Sequence, residues 1–545
     1  MGLDKLKNHA IIYSVTTNPE PKRHSQLING VRYIYYDYPY WDKEKKQNRH
    51  KRDYVGKIGP DNEFIPNAKW YSLNTRHSST RARDRTAPAR RQYCGATHLL
   101  DEVCIATGLA DDLRACFPEN YKAILSLAYY LALESDSPMY RFCRWSRDHR
   151  HPYGREVPSQ RISDLVLQTP EHAKLEFFRR RADRIIDGEY LAYDTTSVSS
   201  YSEAIKAARY GKNKDGDPLP QVNIALLIGE RSSLPVYYRI LPGNIADVST
   251  VRKLVKDVAF IQSDALRLVM DRGFFSAANI HELYKTRQKF ILGGVSSSQL
   301  VRYHLEAARQ SHKQFRNFDD EHGVYFFTYS ATWPFGSPNT GSQGRAQTAK
   351  KIYVHVYYDG VRAEDEKLKF TRSVRRAAAS LAAGDKLSRR QQSIRDKFIT
   401  LGPANELNDK AIQEHLDRLG YFALLSNDVK SASDALEVYR RKDIVEKAFD
   451  NCKERLELRR TAVHSDAALE GTVFVQFVAL IMICWLQQRM RASRLFQNYT
   501  MQSLFDTLDV IEMYEYEGQG PHLGEITEKQ AKLYASLGVP VPNTL

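Results

Sequence analysis

YRRKDIVEKAFDNCK, at residues 439–453, has the periodicity of an amphipathic helix. At about 100° per residue its polar members fall within roughly 60° of one another and form one stripe. That stripe consists of Tyr439, Lys442, Glu446 and Lys453. The apolar stripe beside it consists of Val438, Val445, Phe449, Cys452 and Leu456. A phenol, a carboxylate and two ammonium groups in one row predict a site for a metal ion and a phosphate together; a solvated face with weak i,i+3 and i,i+4 pairs is the open alternative.

Two aspartates upstream follow short apolar segments. Residues 190–193 predict a strand that leads into Asp194, and residues 266–270 predict a buried strand that ends at Asp271. Either aspartate alone is explained by a turn or an N-cap. An acidic residue at the end of a core strand is nevertheless costly unless a cation pairs with it. Together with Glu446 they give three carboxylates from two strands and a helix, the set that a two-metal phosphoryl-transfer site needs.

These motifs resemble the DDE transposases of bacterial insertion sequences, in the group that bears the Tyr-Arg-Glu-Lys signature. The likeness is in YDTTS around Asp194, in DRGF from Asp271, and in the Tyr-x2-Lys-x3-Glu-x6-Lys spacing around Glu446. LPQVNIALL, PGNIADVST and YFALLSND resemble the family's core strands as well, so the resemblance covers residues 189–295 and 415–490. Lys442 stands where the signature has Arg, which keeps the charge but loses the bidentate fork, and the neighbouring Arg441 is a candidate to compensate.

The resemblance implies an α/β fold with an RNase H-like catalytic core, a mixed sheet flanked by helices. The implied ligands of two Mg²⁺ ions, with Mn²⁺ as an alternative, are Asp194, Asp271 and Glu446. The implied contacts to DNA phosphates are Tyr439, Lys442 and Lys453. The expected activity is cut-and-paste transposition, with cleavage at terminal inverted repeats and strand transfer to target DNA by a homodimer on double-stranded DNA.

The charge balance agrees with a nucleic-acid partner. A net charge of +15 and a pI near 9.3 favour a polyanion, with an anionic membrane surface as the second choice. The N-terminus lacks the apolar core of a signal peptide, and the apolar run at 473–486 is too short to span a bilayer and is interrupted by Gln476. The six cysteines form no C-x-x-C pair. We therefore expect a reducing, cytoplasmic location, associated with the bacterial nucleoid and without membrane contact.

Composition shifts along the chain predict its domain organisation. The segments are a β-rich N-terminal module with possible DNA binding at 1–75, a basic linker at 76–92, a helical DNA-binding domain at 93–188, the first part of the core at 189–295, an inserted β-containing domain at 296–414, the second part of the core at 415–490, and a C-terminal helical tail at 491–545. The insertion is expected because the 174 residues between Asp271 and Glu446 are too many for a simple connection. Aromatic residues interleaved with Lys and Arg in the first module suit stacking and phosphate contact, although a sheet with a solvated charged loop fits equally well.

Several side chains and three other functions stay open at this level. Trp333 suits either the core or stacking on a displaced base, and Arg459, Arg460 and His464 suit either DNA or solvent. The chain is alternatively a metal-dependent nuclease without strand transfer, or a DNA-binding remnant of a transposase. A glycoside hydrolase also uses paired carboxylates, but it explains neither the basic stripe nor the net charge.

Overall fold

The structure is a computed structural model of the 545-residue chain. It describes residues 23–43, 45–70, 90–135, 137–261, 266–311, 314–335, 348–400, 406–516 and 520–543. Most of the predicted basic linker, at 76–89, lies outside these ranges. The chain divides into two compact units, Met1–Arg90 with Tyr514–Pro521 and Arg91–Met513 with His522–Leu545.

The first unit is built on an antiparallel sheet of four strands. They are β1 (Arg23–Ile28), β2 (Val31–Asp42), β3 (Gln47–Ile58) and β4 (Phe64–Pro66), in that spatial order. Alternation of Tyr, Ile and Val with polar residues produces the strands, and Gly30 at φ +80° closes the first hairpin. Of the apolar side chains described in these strands, only Tyr35 and Val55 are buried.

Six helices open the second unit. They are α1 (Gly95–Thr107), α2 (Leu109–Cys116), α3 (Tyr121–Leu133), α4 (Phe142–Asp148), α5 (Ser159–Leu167) and α6 (Glu171–Ala182). They follow the short strand β5 (Arg90–Tyr93). Short 3-10 helices lie at Met139–Arg141, Phe315–Asn317 and Leu495–Gln497.

A ten-stranded mixed sheet forms the centre of the second unit. Its strands are β6 (Leu191–Ser200), β7 (Gln221–Gly229), β8 (Pro235–Pro242), β9 (Arg267–Met270), β10 (Lys289–Gly293), β11 (Phe318–Asp319), β12 (Val324–Phe335), β13 (Thr348–Asp359), β16 (Tyr421–Ser426) and β17 (Arg460–Thr461). The spatial order is β11-β12-β13-β16-β10-β9-β6-β7-β8, with β17 alongside β6. β6, β9 and β10 run parallel to one another, and β6, β7 and β8 form an antiparallel meander. The architecture is therefore mixed α/β.

Helices cover this sheet and connect its strands. They are α7 (Asp247–Ile261), α8 (Ala277–Lys285), α9 (Gln299–Gln310), α10 (Gly360–Ala382), α11 (Arg389–Phe398), α12 (Asp409–Leu416), α13 (Ala432–Arg441), α14 (Asp443–Glu454), α15 (Asp466–Ala492), α16 (Met501–Asp509) and α17 (Glu528–Leu537). Two small sheets complete the chain, β14 (Ile399–Thr400) with β15 (Glu406–Leu407), and β5 with β18 (Glu512–Glu515) and β19 (Pro521–Leu523).

Two long strands of the predicted insertion, β12 and β13, belong to the core sheet and not to a separate domain. Residues 296–414 were expected to form an inserted domain, yet β13 pairs with β16 from Tyr353↔Ser426 to Tyr358↔Tyr421. β12 pairs in turn with β13 along its whole length, so both strands extend the core sheet. Local sequence specifies that a segment is a strand, but the pairing partner lies about 70 residues away and leaves no local mark.

Helix α15 is the buried centre of the helical layer. It runs for 27 residues, longer than the apolar run at 473–486 alone, and by length and composition it is sufficient to cross a membrane. Most of its apolar stretch, 78%, is buried inside the protein, where it packs against α3 and α5. Burial of each Leu, Ile or Phe side chain contributes about 1.5–3 kcal/mol to the stability of the fold. The apolar surface of α15 is therefore accounted for by packing within the protein.

Candidate active site

The two predicted aspartates lie at the same level of neighbouring parallel strands. Tyr193 of β6 pairs with Met270 of β9; Asp194 is the next residue of β6, and Asp271 is the first residue after β9. Parallel neighbours stand about 4.8 Å apart, so the backbones of these two residues lie next to each other. Asp194 lies within β6 and not at its end, because the strand continues to Ser200. The start of the loop after β9 therefore places Asp271 next to Asp194 of the neighbouring strand β6.

Asp271 is held from two directions. Its Oδ1 accepts a hydrogen bond from the backbone N–H of Arg272 at 2.7 Å and one from the Tyr439 hydroxyl at 2.9 Å. Burial and then the charge of Asp271 raise the pKa of Tyr439 far above its ordinary value, so the phenol stays protonated and remains a donor. Gly293 at the end of β10 lets this turn approach, since an added Cβ would come within 2.7 Å of the Arg272 nitrogen. The carboxylate therefore has a defined position.

Asp194 is a partly buried carboxylate with a nearby lysine. Burial raises its pKa, and this effect is opposed by Lys214, whose Nζ lies 3.6 Å from Asp194 Oδ1, and by the Thr195 N–H at 2.7 Å. Lys214 Nζ also lies 3.9 Å from Asp247, which accepts a hydrogen bond from the Thr195 hydroxyl at 2.5 Å. The result is a compact cluster of two carboxylates and one ammonium around β6.

The predicted signature helix is two helices. α13 ends at Arg441 and α14 begins at Asp443, with Lys442 between them at φ −51° and ψ −24°. The Val445 N–H donates to the Lys442 carbonyl at 3.0 Å, an i to i+3 bond of the 3-10 type that tightens the chain at this point. The continuous stripe predicted on one helix face is therefore interrupted at Lys442.

The break nonetheless keeps three of the four polar members of the stripe in contact. Lys442 Nζ lies 5.8 Å from the centre of the Tyr439 ring and donates to Glu446 Oε1 at 3.0 Å. Lys442 is buried, with 6% of its surface exposed, whereas the Glu446 side chain is 56% exposed. Lys442 also lowers the pKa of Asp194, so its ammonium is close to carboxylates of both the sheet and the helix.

Lys453 has a different partner. Its Nζ lies 2.8 Å from both oxygens of Asp215, in the loop between β6 and β7. Both predicted phosphate-binding lysines thus carry carboxylate partners, Glu446 for Lys442 and Asp215 for Lys453.

The donor set fits a divalent cation in charge and in atom type. Asp194 and Asp271 offer carboxylate oxygens from neighbouring strand positions, and burial raises the pKa of Asp194, an effect that a bound cation would oppose. Within the described ranges, no group of three or more His, Cys, Asp or Glu residues is close enough to hold a metal ion. Glu446 is turned to Lys442, so it joins the two aspartates only if that ion pair opens.

A cavity of about 800 Å³ adjoins Asp271 and Tyr439. Arg272 and Arg362 are the basic residues on its wall, and the chain after β10 forms its floor with Gly293 and Gly294. Of the three predicted carboxylates, Asp271 lines this cavity.

Other candidates from the sequence are engaged elsewhere. Trp333 is a core residue, 8% exposed, so it does not offer its ring to a displaced base. Arg460 binds Asp217 at 2.9 Å and the Tyr201 hydroxyl at 2.7 Å. The guanidinium of Arg441 binds Glu437 and Glu230. Arg459 and His464 are exposed.

Sequence reasoning missed Lys214, Asp215 and Asp247 as members of the site. Lys214 and Asp215 stand in the turn-rich segment RYGKNKDGDPLP, where no periodicity distinguishes one charged residue from the next. Asp247 is the first residue of α7. An acidic residue is favoured at a helix N-terminus by the helix dipole, so its presence there does not by itself indicate a catalytic role. The only available signal was its place in PGNIADVST, one of the segments that resemble core strands.

Comparisons with known proteins identify the family of the chain. The family model described as Transposase DDE domain matches residues 184–482, more than half of the chain, and the chain belongs to this family of transposases. Among solved structures, the chain is similar to the piggyBac transposase in a synaptic complex with hairpin DNA, at 11% identity and a TM-score of 0.34, over 75% of this chain and 70% of that one. A search of curated proteins found no match.

Proposed function

We propose that this protein is a DNA transposase that moves an insertion sequence by cut-and-paste transposition, cleaving DNA at terminal inverted repeats and joining the freed ends to target DNA. The observation that carries the proposal is the pairing of Tyr193 with Met270, which sets Asp194 and Asp271 side by side on parallel strands within the matched family region. An RNase H-like core is the interpretation that best fits the β8-β7-β6-β9-β10 order, a meander followed by two parallel strands. We place the protein at the bacterial nucleoid, acting on double-stranded DNA as a homodimer.

Asp194, Asp271 and Glu446 would hold two Mg²⁺ ions, with Mn²⁺ as a substitute. Such ions, when bound, lower the pKa of a water or 3′-hydroxyl nucleophile and stabilise the leaving oxygen. The protein's own residues do the positioning. The Tyr439 hydroxyl fixes Asp271, and Lys214 partly offsets the buried charge of Asp194.

DNA binding and assembly of the carboxylates are coupled in this proposal. A backbone phosphate that takes the Lys442 ammonium removes it from Glu446, which then turns to the two aspartates. In the same way, the Lys453 ammonium leaves Asp215 and binds a second phosphate. Charge-assisted bonds to phosphate are strong enough to replace the ion pairs that they break, and these contacts position DNA without reading bases. The roles of Lys442 and Lys453 remain those predicted from the sequence, whereas Tyr439 acts through Asp271.

The test is cleavage and joining of DNA that carries the inverted repeats flanking this reading frame, in Mg²⁺ or in EDTA. Wild type is expected to give free 3′-hydroxyl ends and joined products in Mg²⁺ only. Glu446→Gln is expected to bind the same DNA but to form neither product. Asp443→Asn, one turn earlier on the exposed side of α14, is the matched control and should retain activity.

The outcomes separate the alternatives. Cleavage without joined products under any condition identifies a nuclease. Binding of the ends without cleavage by wild type identifies a DNA-binding remnant. Full activity of Glu446→Gln contradicts the catalytic assignment.

A further inference from the structure

The first compact unit contains a structural feature that the catalytic proposal does not use. Among the described residues, β1 pairs with residues 31–36 of β2, and β4 pairs with residues 56–58 of β3. Within the described part of this unit, residues 37–42 and 47–52 therefore pair with each other alone. They form a two-stranded ribbon, which at about 3.4 Å per residue projects roughly 20 Å beyond the four-stranded sheet.

The ribbon is strongly basic. Residues 37–52 contain six Lys and Arg against three Asp and Glu. All six basic side chains are exposed: Lys43, Lys45, Lys46, Arg49, Lys51 and Arg52. A surface of this kind binds a polyanion through the release of counterions.

One face of the ribbon carries groups suited to reading base edges. The pairs Trp41↔Asn48 and Pro39↔His50 place an indole, an amide and an imidazole on the same face, because side chains alternate along a strand. Asp37 Oδ2 lies 2.8 Å from His50 Nδ1. Since a carboxylate only accepts, Nδ1 carries the proton and Nε2 is left for a further partner. Trp41 is 57% exposed, so its ring is accessible to a ligand.

The opposite face carries a different set of side chains. The pairs Tyr38↔Lys51 and Tyr40↔Arg49 combine phenols with long cations, and Arg49 lies 3.5 Å from Asp42. Phenols and cations are suited to phosphate and sugar contacts, which position a protein on DNA. The two faces of the ribbon therefore differ in chemistry, with Arg52 the one Lys or Arg of the described ribbon strands on the first face, where it donates to Gln26.

We propose that this ribbon enters the major groove of double-stranded DNA and recognises sequence there. The groove is about 12 Å wide and admits a two-stranded β-ribbon. Trp41, Asn48 and His50 contact base edges, and Lys45 and Lys46 in the turn bind flanking phosphates. The inference rests on the proposed function for its DNA partner, and it adds the element and the groove by which that DNA is recognised.

The test uses the full-length protein in EDTA, so that binding is measured without cleavage. Wild type first selects a duplex from a library of randomised duplexes, and its Kd is compared with that for a scrambled duplex and for the selected single strand. The first variant is Asn48→Ala with His50→Ala, the second is Lys45→Gln with Lys46→Gln. The control, Lys529→Gln with Lys532→Gln on α17, makes the same change in net charge at exposed positions.

Distinct results are expected from the two variants. The first lowers the ratio of selected to scrambled affinity by at least about fivefold, the effect expected for a single base contact. The second weakens binding to both duplexes alike and reduces the slope of log K against log salt by about 0.9 for each phosphate that the protein no longer neutralises. The control binds as wild type does, and all variants keep the wild-type melting temperature because the changed side chains are exposed.

The proposal is overturned if wild type selects no sequence, if it prefers the single strand, or if the first variant keeps full discrimination. A control as weak as the second variant overturns the assignment of the turn lysines. Cleavage in Mg²⁺ is scored separately. If the wild-type protein never cleaves DNA, the proposed function is wrong. Loss of sequence selection in the first variant would still support recognition of DNA by the ribbon.

Discussion

Tyr439→Phe separates a positioning role from a phosphate-binding role. The change removes one hydroxyl, which donates to Asp271 at 2.9 Å from a largely buried position. A hydrogen bond to a charged group contributes about 1.5–3 kcal/mol. At about 1.4 kcal/mol per tenfold change in rate, removal of this bond lowers the rate of DNA cleavage about 10- to 150-fold if Asp271 must be held in place for chemistry. The affinity for end DNA should change less than about twofold on this account, because the hydroxyl faces a carboxylate and not a phosphate.

The assay is single-turnover cleavage at saturating protein, together with a binding titration in EDTA. Tyr421→Phe is the matched control, since Tyr421 lines the same cavity and its hydroxyl makes no hydrogen bond to a carboxylate in the described part of the chain. Cleavage by Tyr439→Phe at the wild-type rate would refute the reasoning. A defect confined to DNA affinity would restore Tyr439 to the phosphate-binding role predicted from sequence.

Three further predictions concern charge and burial. Lys214→Met removes the ammonium 3.6 Å from Asp194 and should lower the melting temperature in EDTA by about 1 °C, the shift that about 1 kcal/mol produces in a unit of this size, with Mg²⁺ restoring most of it; no change in EDTA would contradict the role of Lys214. Burial lowers the pKa of His355 to about 4, so the unfolded chain takes up a proton first as the pH falls below about 6.5. Stability is then lost between about pH 6.5 and 4, by roughly 3 kcal/mol in total, and His355→Gln should flatten this dependence in urea unfolding at a series of pH values. Asp112→Asn leaves the buried Arg181 without its carboxylate at 3.0 Å and should cost about 3–5 kcal/mol in the same assay, whereas Asp111→Asn, an exposed neighbour, should cost little.

Much of the site could be predicted from the sequence because its parts are local. The apolar runs before Asp194 and Asp271 specify strands, and the spacing of Tyr439, Lys442 and Glu446 specifies helical neighbours. All three conclusions depend on residues within about ten positions of one another, over which periodicity is informative.

The parts that could not be predicted depend on long-range packing. The tight turn at Lys442 places a lysine in the interior, where Glu446 and the neighbouring Asp194 offset its charge, and no propensity marks such a break. Pairing of β13 with β16 likewise depends on segments far apart in the sequence. Lys214 reaches Asp194 across a loop, so only the folded sheet identifies it as part of the site.

The most direct test of the central claim is to map where a bound metal lies on the polypeptide. Fe²⁺ substituted for Mg²⁺, with ascorbate and peroxide, cuts the backbone next to the ion, and the fragments are located by mass spectrometry in the presence of end DNA. We expect cuts close to Asp194, Asp271 and Glu446 that Mg²⁺ competes away and that Asp194→Asn abolishes at all three places together. Cuts near only one of these residues, or a pattern unchanged in Asp194→Asn, would contradict a single metal site built from the three carboxylates.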